Sequence, residues 1–335
     1  MSLRSRLESR LQQLWYAHDR PAASCRFLST VYKYISNRRQ QRLKESSKHI
    51  DLPVPVIVIG NITVGGVGKT PVTDWLVTHL AANGWRPGIV SRGYGGRLTG
   101  PHSVTEDASP SAVGDEPCML TARGHTVCVS KDRLAGVLHL ANGPERCDVV
   151  VADDGLQHYA LPRDMEIVVV DGHRRFGNGH LLPAGPLREP VERLNGVDHV
   201  ICNGGEAQAD EWPMSLVVNG CFNLRGERVE LLDMASKCLA VAGIGHPARF
   251  FATCRDLSVE IDEHPHPDHH QYTTAEVNAW AGPVITTEKD AIKLRKLTDR
   301  ADIYWLRVEA NLPDALWQQI MPRLRALGRT GESRD

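Results

Sequence analysis

The chain is expected to be an α/β protein in which a doubly wound parallel sheet is followed by a second, smaller α/β domain. Three observations predict this. Short apolar, β-branched runs with few polar residues recur at 54–59, 86–90, 149–152, 165–171 and 197–203, as buried parallel strands do. Segments of helical spacing lie between them, and such alternation builds a parallel sheet with helices on both faces. A hairpin-like stretch near 213–232 then precedes a fresh alternation of strands at 238–242, 284–286 and 303–308 with helices opening near Pro247, Thr287 and Pro313. At 335 residues the chain suits roughly two domains with sizeable cores.

The first fifty residues differ from the rest. They hold eleven Lys and Arg against Glu8, Asp19 and Glu45. Leu3, Leu7, Leu11, Leu14 and Trp15 recur at helical spacing, as do Phe27, Leu28, Val31, Tyr34 and Ile35. No run of about 18 apolar residues is present, so a spanning helix is not expected, and no signal-peptide apolar region stands there. A basic amphipathic helix with aromatic residues lies in a membrane interface or packs on its own domain. The residues leave both readings open.

Residues 54–80 form the centre of the pattern. An apolar strand leads into Gly65-Gly66-Val67-Gly68-Lys69-Thr70, and a helical segment with Val72, Leu76, Val77 and Leu80 on one side follows. Strand, glycine-rich loop ending in Gly-Lys-Thr, helix is the context of a phosphate-binding loop. Loop amides and the helix N-terminus meet the phosphates, Lys69 reaches the β- and γ-phosphates, and the Thr70 hydroxyl binds Mg²⁺. The sheet is therefore of the phosphate-loop NTPase type. One departure stands out: Thr63 occupies the position where the usual pattern has its first glycine.

Downstream, residues 92–96 are glycine-rich, and Gly114-Asp115-Glu116-Pro117 leads a helix. The strand at 149–152 delivers Asp153 and Asp154 to its carboxyl end, where ligands gather in such sheets. Two adjacent carboxylates repel unless a cation or hydrogen bonds compensate. In a phosphate-loop protein that cation is the Mg²⁺ of the nucleotide, so a Walker-B-like role is expected for the pair. Residues 176–190 hold three prolines and three glycines and read as a long ordered loop of the kind that carries function. In the second half, Glu263-His264-Pro265-His266-Pro267-Asp268-His269-His270 reads as an extended loop. Its histidines raise a metal site as a minor possibility.

Composition excludes little. Apolar content of 41% and charged content of 24% are ordinary for a globular protein, and a net charge of −1 gives no sign of a nucleic-acid partner. The eight cysteines contain no CxxC pair, which favours reduced, mostly buried thiols.

The ordered blocks GNITVGGVGKTP, SRGYGG, VGDEP, VVVADDGLQH, LLPAGPLREP, VAGIGHPARF, PDHH and TTEKD resemble the tetraacyldisaccharide 4'-kinase family of lipid A biosynthesis, over about residues 54–293. The resemblance implies phosphorylation of the 4'-hydroxyl of a tetraacylated glucosamine disaccharide 1-phosphate, with ATP and Mg²⁺, at the cytoplasmic face of a Gram-negative inner membrane. It implies no obligatory protein partner and a two-stranded hinge between the domains. The organisation expected is a membrane-associating segment at 1–50, a kinase core at 51–212, the hinge at 213–232, the smaller domain at 233–328 and a polar tail. By resemblance Asp115 is the general base and His269 its partner. Asp153, Asp154, Gln157 and His158 sit at the metal and phosphates, and Glu189 is associated with Mg²⁺. Family members often carry a more hydrophobic N-terminal helix than this one.

Two other classes fit less well. A membrane-associated ATPase switch carries a lysine just before the GGVGKT glycines, where this chain has Val64. A GTP-binding module needs an Asn-Lys-x-Asp base reader, which Thr287-Glu288-Lys289-Asp290 resembles superficially, but its first position is threonine and it lies in the second domain.

Overall fold

The computed structural model describes residues 14–16, 20–47, 49–230 and 237–327. The apolar positions Leu3, Leu7 and Leu11 and the polar tail lie outside them. Strand β1 (Val56–Gly60) is buried along its whole length and pairs in parallel with β5 (Val149–Asp153) and β6 (Met165–Asp171). Strands β2 (Pro87–Ser91) and β4 (Thr126–Val129) extend the sheet in parallel on one side, and the short β3 (His102–Ser103) closes that edge antiparallel. On the other side comes β7 (His199–Asn203), parallel to β6.

The side-chain alternation of the strands explains the two helical layers. Ile57, Ile59, Val149 and Val151 point into one buried cluster, and Val56, Val58, Val150 and Ala152 into the other. Helix α2 (Lys69–Ala82) covers the first face with Val72, Leu76 and Leu80, all buried. Its N-terminus follows Gly68 directly, at the carboxyl end of β1.

A single long strand, β8 (Glu211–Asn223), joins the two halves. Its first residues pair in parallel with β7 through Glu211 to Met214. From Ser215 onward it pairs antiparallel with β13 (Ile303–Asn311). The sheet thus runs unbroken into the second half, where β13, β12 (Val284–Thr287), β10 (Lys237–Ala242) and β11 (Glu260–Pro265) are parallel neighbours. The hairpin expected between 214–221 and 228–232 is short: β9 (Arg228–Val229) pairs only at Phe222 and Cys221, and residues 231–236 lie outside the described part. The long partner of β8 is β13, ninety residues later in the chain, a pairing that local pattern does not reveal.

The histidine-rich run also differs from its expected form. Glu263, His264 and Pro265 belong to β11, an edge strand, and an edge tolerates the proline that a central strand would exclude. Only His266 to His270 form a turn, closed by His270 N donating to Pro267 O at 3.1 Å.

Helix α1 (Ala23–Ser47) lies on the 176–190 loop. Ser29 Oγ donates to Leu181 O at 2.8 Å and Tyr32 OH to Arg188 O at 3.1 Å. Ahead of the helix, Trp15 Nε1 donates to Pro183 O at 3.0 Å. Phe27, Leu28, Val31, Tyr34 and Ile35 share the opposite side and are exposed, Phe27 by 69%. No helix of the described residues is long and apolar enough to cross a membrane.

Candidate active site

The phosphate loop closes on itself before any ligand is considered. Gly65 and Gly68 hold φ of 104° and 94°, values that favour glycine. Asn203, at the end of β7, donates Nδ2 to Val67 O at 2.8 Å, and a Cβ at Gly68 would meet that nitrogen at 2.3 Å. Arg174 Nη2 donates to Gly66 O at 2.7 Å. Thr63 is buried and forms an antiparallel bridge with Leu187, so its backbone is anchored to the 176–190 loop. This pairing explains why the position needs no glycine. Lys69 Nζ lies 3.3 Å from Asp154 Oδ1 and 3.4 Å from Asn61 Oδ1, and Thr70 is the next residue of α2.

Asp153 ends β5 and is almost wholly buried, with Thr73 Oγ1 donating to its Oδ1 at 3.2 Å. Burial, and after it the nearby Glu116 charge, push its carboxyl up to about 7. Asp154 follows at φ 50° and turns outward. Burial is the largest influence on it and opposes charge, yet Lys69 and Arg188 outweigh it and hold the carboxyl below its ordinary range. Arg133 lies beneath the pair, donating to Asp153 O at 3.2 Å and Ser130 O at 2.6 Å. His158 is held neutral, its pKa lowered to about 4 by burial and then by Arg133.

Glu189 is engaged at both oxygens. Gln157 Nε2 donates to Oε1 at 2.8 Å, and Tyr159 OH donates to Oε2 in a short bond. The same Gln157 nitrogen donates to Asn61 O at 2.9 Å. Glu189 thereby connects through Gln157 and Asn61 to Lys69 instead of presenting a free carboxylate.

A second cluster joins Asp115 of the core half to His269, Lys289 and Lys293 of the smaller half. Asp115 is the first residue of α4 (Asp115–Ala122) and is 3% exposed. His269 Nδ1 lies 3.0 Å from Asp115 Oδ2, and Lys293 Nζ lies 3.5 Å from the same oxygen. Burial, the largest influence on Asp115, would raise its pKa. The His269 hydrogen bond and the Lys293 and Lys289 charges reverse this and keep it a carboxylate. Lys289 Nζ donates to Asp268 Oδ1 at 3.1 Å and approaches His269 Nε2 at 3.4 Å. The His269 ring packs on Tyr94 with centroids 5.0 Å apart. Gly245 abuts the phosphate loop: a Cβ there would meet Gly66 N at 3.2 Å.

The phosphate loop and the Asp115–His269 pair are neighbours: Gly245 of the smaller half abuts Gly66, and Glu116, next to Asp115, acts on Asp153. A sequence model of the tetraacyldisaccharide-1-P 4'-kinase family matches residues 22–325 of the chain. The tetraacyldisaccharide 4'-kinase of Methylobacillus flagellatus is 44% identical over 323 residues, covering 95% of this chain and 96% of that protein. The chain belongs to the tetraacyldisaccharide 4'-kinase family. The tetraacyldisaccharide 4'-kinase of Alkalilimnicola ehrlichii is 46% identical over 93% of this chain and 94% of that protein. Among solved structures, the family member LpxK from Aquifex aeolicus in complex with ATP superposes with a TM-score of 0.74 at 27% identity, covering 89% of this chain and 97% of that one.

Several residues around the phosphate loop and the Asp115–His269 pair carry no sequence signal strong enough to single them out. Asn61 and Asn203 brace the loop through side-chain amides, and Arg249 reaches Asn203 Oδ1 at 2.9 Å from helix α6 (Pro247–Asp256) of the other half. Lys289 stands out in the sequence only within a threonine-led turn, and Lys293 carries no signal of its own. Their one-helical-turn spacing on α8 (Glu288–Leu294) aims both at the Asp115–His269 pair.

Proposed function

We propose that the chain transfers the γ-phosphoryl group of ATP to the 4'-hydroxyl of a tetraacylated glucosamine disaccharide 1-phosphate. The single observation that carries the chemistry is the 3.0 Å contact of Asp115 with His269 in a phosphate-loop protein. In this reading Lys69 and the loop amides of Gly65, Gly66, Val67 and Gly68 hold the β- and γ-phosphates. Gln157 and His158 line the same end of β5. Glu189 acts through Gln157 and Asn61 to aim Lys69, since both its oxygens are already engaged.

The donor set also fits a Mg²⁺. Asp153 is a buried carboxylate whose charge is disfavoured where it stands, and a divalent cation offsets that penalty. Thr70, Asp153 and Asp154 would hold the ion, which neutralises phosphate charge when bound. Phosphoryl transfer is mostly positioning and charge neutralisation, so these contacts supply most of the effect.

Asp115 is proposed to take the hydroxyl proton, with His269 orienting it and Lys293 keeping it ionised. A second reading reverses the two roles, because His269 is 22% exposed at its side chain and Asp115 only 4%. A carboxylate base held below its ordinary range leaves the maximal rate flat through neutral pH, whereas a base that must first lose a proton there gives a rise.

The acceptor is acylated and stays in the bilayer, so the protein must meet it there. The exposed Phe27, Leu28, Val31, Tyr34 and Ile35 are proposed to dock α1 on the cytoplasmic face of the inner membrane, helped by neighbouring Arg38, Arg39 and Arg42. Incubation with γ-labelled ATP and a panel of lipids tests the function. Label on the 4'-oxygen of the tetraacyl disaccharide is expected; nucleotide hydrolysis at an equal rate without any lipid would defeat it.

A further inference from the structure

Two further histidines bracket the turn that carries Asp268 and His269. His266 N donates to Ala242 O at 2.8 Å at one end, and the His270 N bond to Pro267 O closes the other. Their rings fold to the same side and stack, with centroids 4.2 Å apart and planes 23° apart. Glu276 faces them from helix α7 (Thr274–Asn278), its Oε1 3.0 Å from His270 Nε2 and 3.7 Å from His266 Nε2. One ligand atom from each of the three residues lies within 4.8 Å of the other two. The phosphoryl-transfer proposal uses none of them.

An ion pair with Glu276 accounts for His270 at 3.0 Å, but reaches His266 only at 3.7 Å, too far for a hydrogen bond. The His266 Nε2 is closed off from solvent and makes no hydrogen bond, a state that costs free energy unless something accepts its lone pair or proton. Two imidazoles and a carboxylate are a donor set that zinc sites use, and tetrahedral coordination at about 2.0–2.2 Å puts ligand atoms roughly 3.3 Å apart. The observed 3.0 and 3.7 Å bracket that spacing. Imidazole nitrogens select a zinc-class ion over Mg²⁺, which takes oxygen ligands. With His270 and Glu276 about a quarter exposed, a bound ion keeps a face open to water.

We propose that His266, His270 and Glu276 form an open zinc-class divalent site that clips together the ends of the turn presenting Asp268 and His269. The turn needs such support, because His269 itself sits at φ 59°, an uncommon conformation for a non-glycine residue. Occupancy restrains the backbone on both sides of His269 without touching it. The histidine-rich run therefore divides its work, His269 going to Asp115 and its neighbours to the ion.

The test uses the full chain, stripped with a chelator, dialysed, and titrated with Zn²⁺ alone in the absence of nucleotide. One Zn²⁺ per chain is expected. Affinity falls at least about 100-fold in His266→Phe and in Glu276→Gln, beyond the 10–100-fold that outer-sphere changes typically cost. Amide exchange across 266–276 slows on Zn²⁺ addition in the wild type and not in the variants. Circular dichroism and thermal unfolding without metal check that each variant is folded, and the isosteric Glu276→Gln keeps the test open if His266→Phe is not. No binding by the wild type, or equal affinity in the wild type and a folded variant, overturns the proposal.

Discussion

His269 Nδ1 stands 3.0 Å from Asp115 Oδ2, although 154 positions separate the two residues in the chain. One is held at a helix start in the core half and the other on a turn of the smaller half. The contact joins the two halves of the chain.

If the pair acts as a unit, losing either member should cost about 10²–10⁴-fold in maximal rate. The double variant Asp115→Ala with His269→Ala should then lose little more than the worse single change. A double-mutant cycle on kcat reads this directly. Losses that simply multiply would show that the 3.0 Å contact has no catalytic meaning.

Removing Lys69 should cost on the order of 10²–10³ in rate, the usual loss for one charge-stabilising contact. Asp153→Ala and Asp154→Ala should in addition raise the Mg²⁺ concentration needed for half-maximal rate. Glu189→Gln should slow the reaction while leaving the Mg²⁺ requirement unchanged, because its oxygens are held by Gln157 and Tyr159. A Mg²⁺ titration of each variant separates direct ligands from supporting residues.

Asp153 carries a pH dependence. With its carboxyl pushed up to about 7, it is mostly protonated below that pH and charged above it. Cation binding requires the charged form, so Mg²⁺-dependent nucleotide affinity should rise as pH increases through about 7 and then level off. In Asp153→Asn the protein's share of this rise should vanish, leaving only the titration of the nucleotide. The sign for stability is opposite: neutral Asp153 favours the fold, so its contribution fades as pH rises through about 7.

Arg123 ties three elements together across the two halves. It meets Asp74 at 2.5 Å, forms a bidentate pair with Glu288, and donates to Val308 O at 3.0 Å, all with buried side chains. Arg123→Met strands the buried Glu288 carboxylate, leaves Asp74 with His125 alone, and should destabilise by about 3–5 kcal/mol, read as a lower urea midpoint. On Asp74, burial is the largest influence and would raise its pKa, yet His125 and Arg123 together lower it. Its stabilising share is therefore complete above the ordinary carboxylate range and is lost as pH falls through the lowered value. Acid unfolding should move to higher pH in the variant.

Attachment through α1 should be reversible. Each Lys or Arg near an anionic surface contributes about 1 kcal/mol, and salt screens that share. Membranes washed at high ionic strength should release the protein, and changing Phe27, Tyr34 and Ile35 to serine should weaken binding at low salt as well. Retention that only detergent breaks would contradict surface docking.

Local physics made much of this protein legible. β-branched runs such as Val56 to Ile59 read as buried strands, and Gly65, Gly68 and Lys69 after one read as a phosphate loop, because backbone sterics and helix polarity act between near neighbours. The same locality placed Asp153 at a strand end and Asp115 at a helix start. Histidine 269 was singled out by its place beside Asp268 within a family pattern, whereas its contact with Asp115 depends on how two halves of the chain meet.

Tertiary structure decided what distant partners do to those residues. Thr63 read as a defect in the glycine pattern until its bridge to Leu187 accounted for it. Glu189 is associated with Mg²⁺ by resemblance alone, and the fold adds Gln157 and Tyr159 as partners of its oxygens. The strand 211–223 read as half of a hairpin, yet its long partner is 303–311, a choice made by register and burial across the whole sheet. In each case the deciding term is the desolvation of a polar or backbone group. That cost depends on every atom packed around it, and so it belongs to the folded chain and not to any segment.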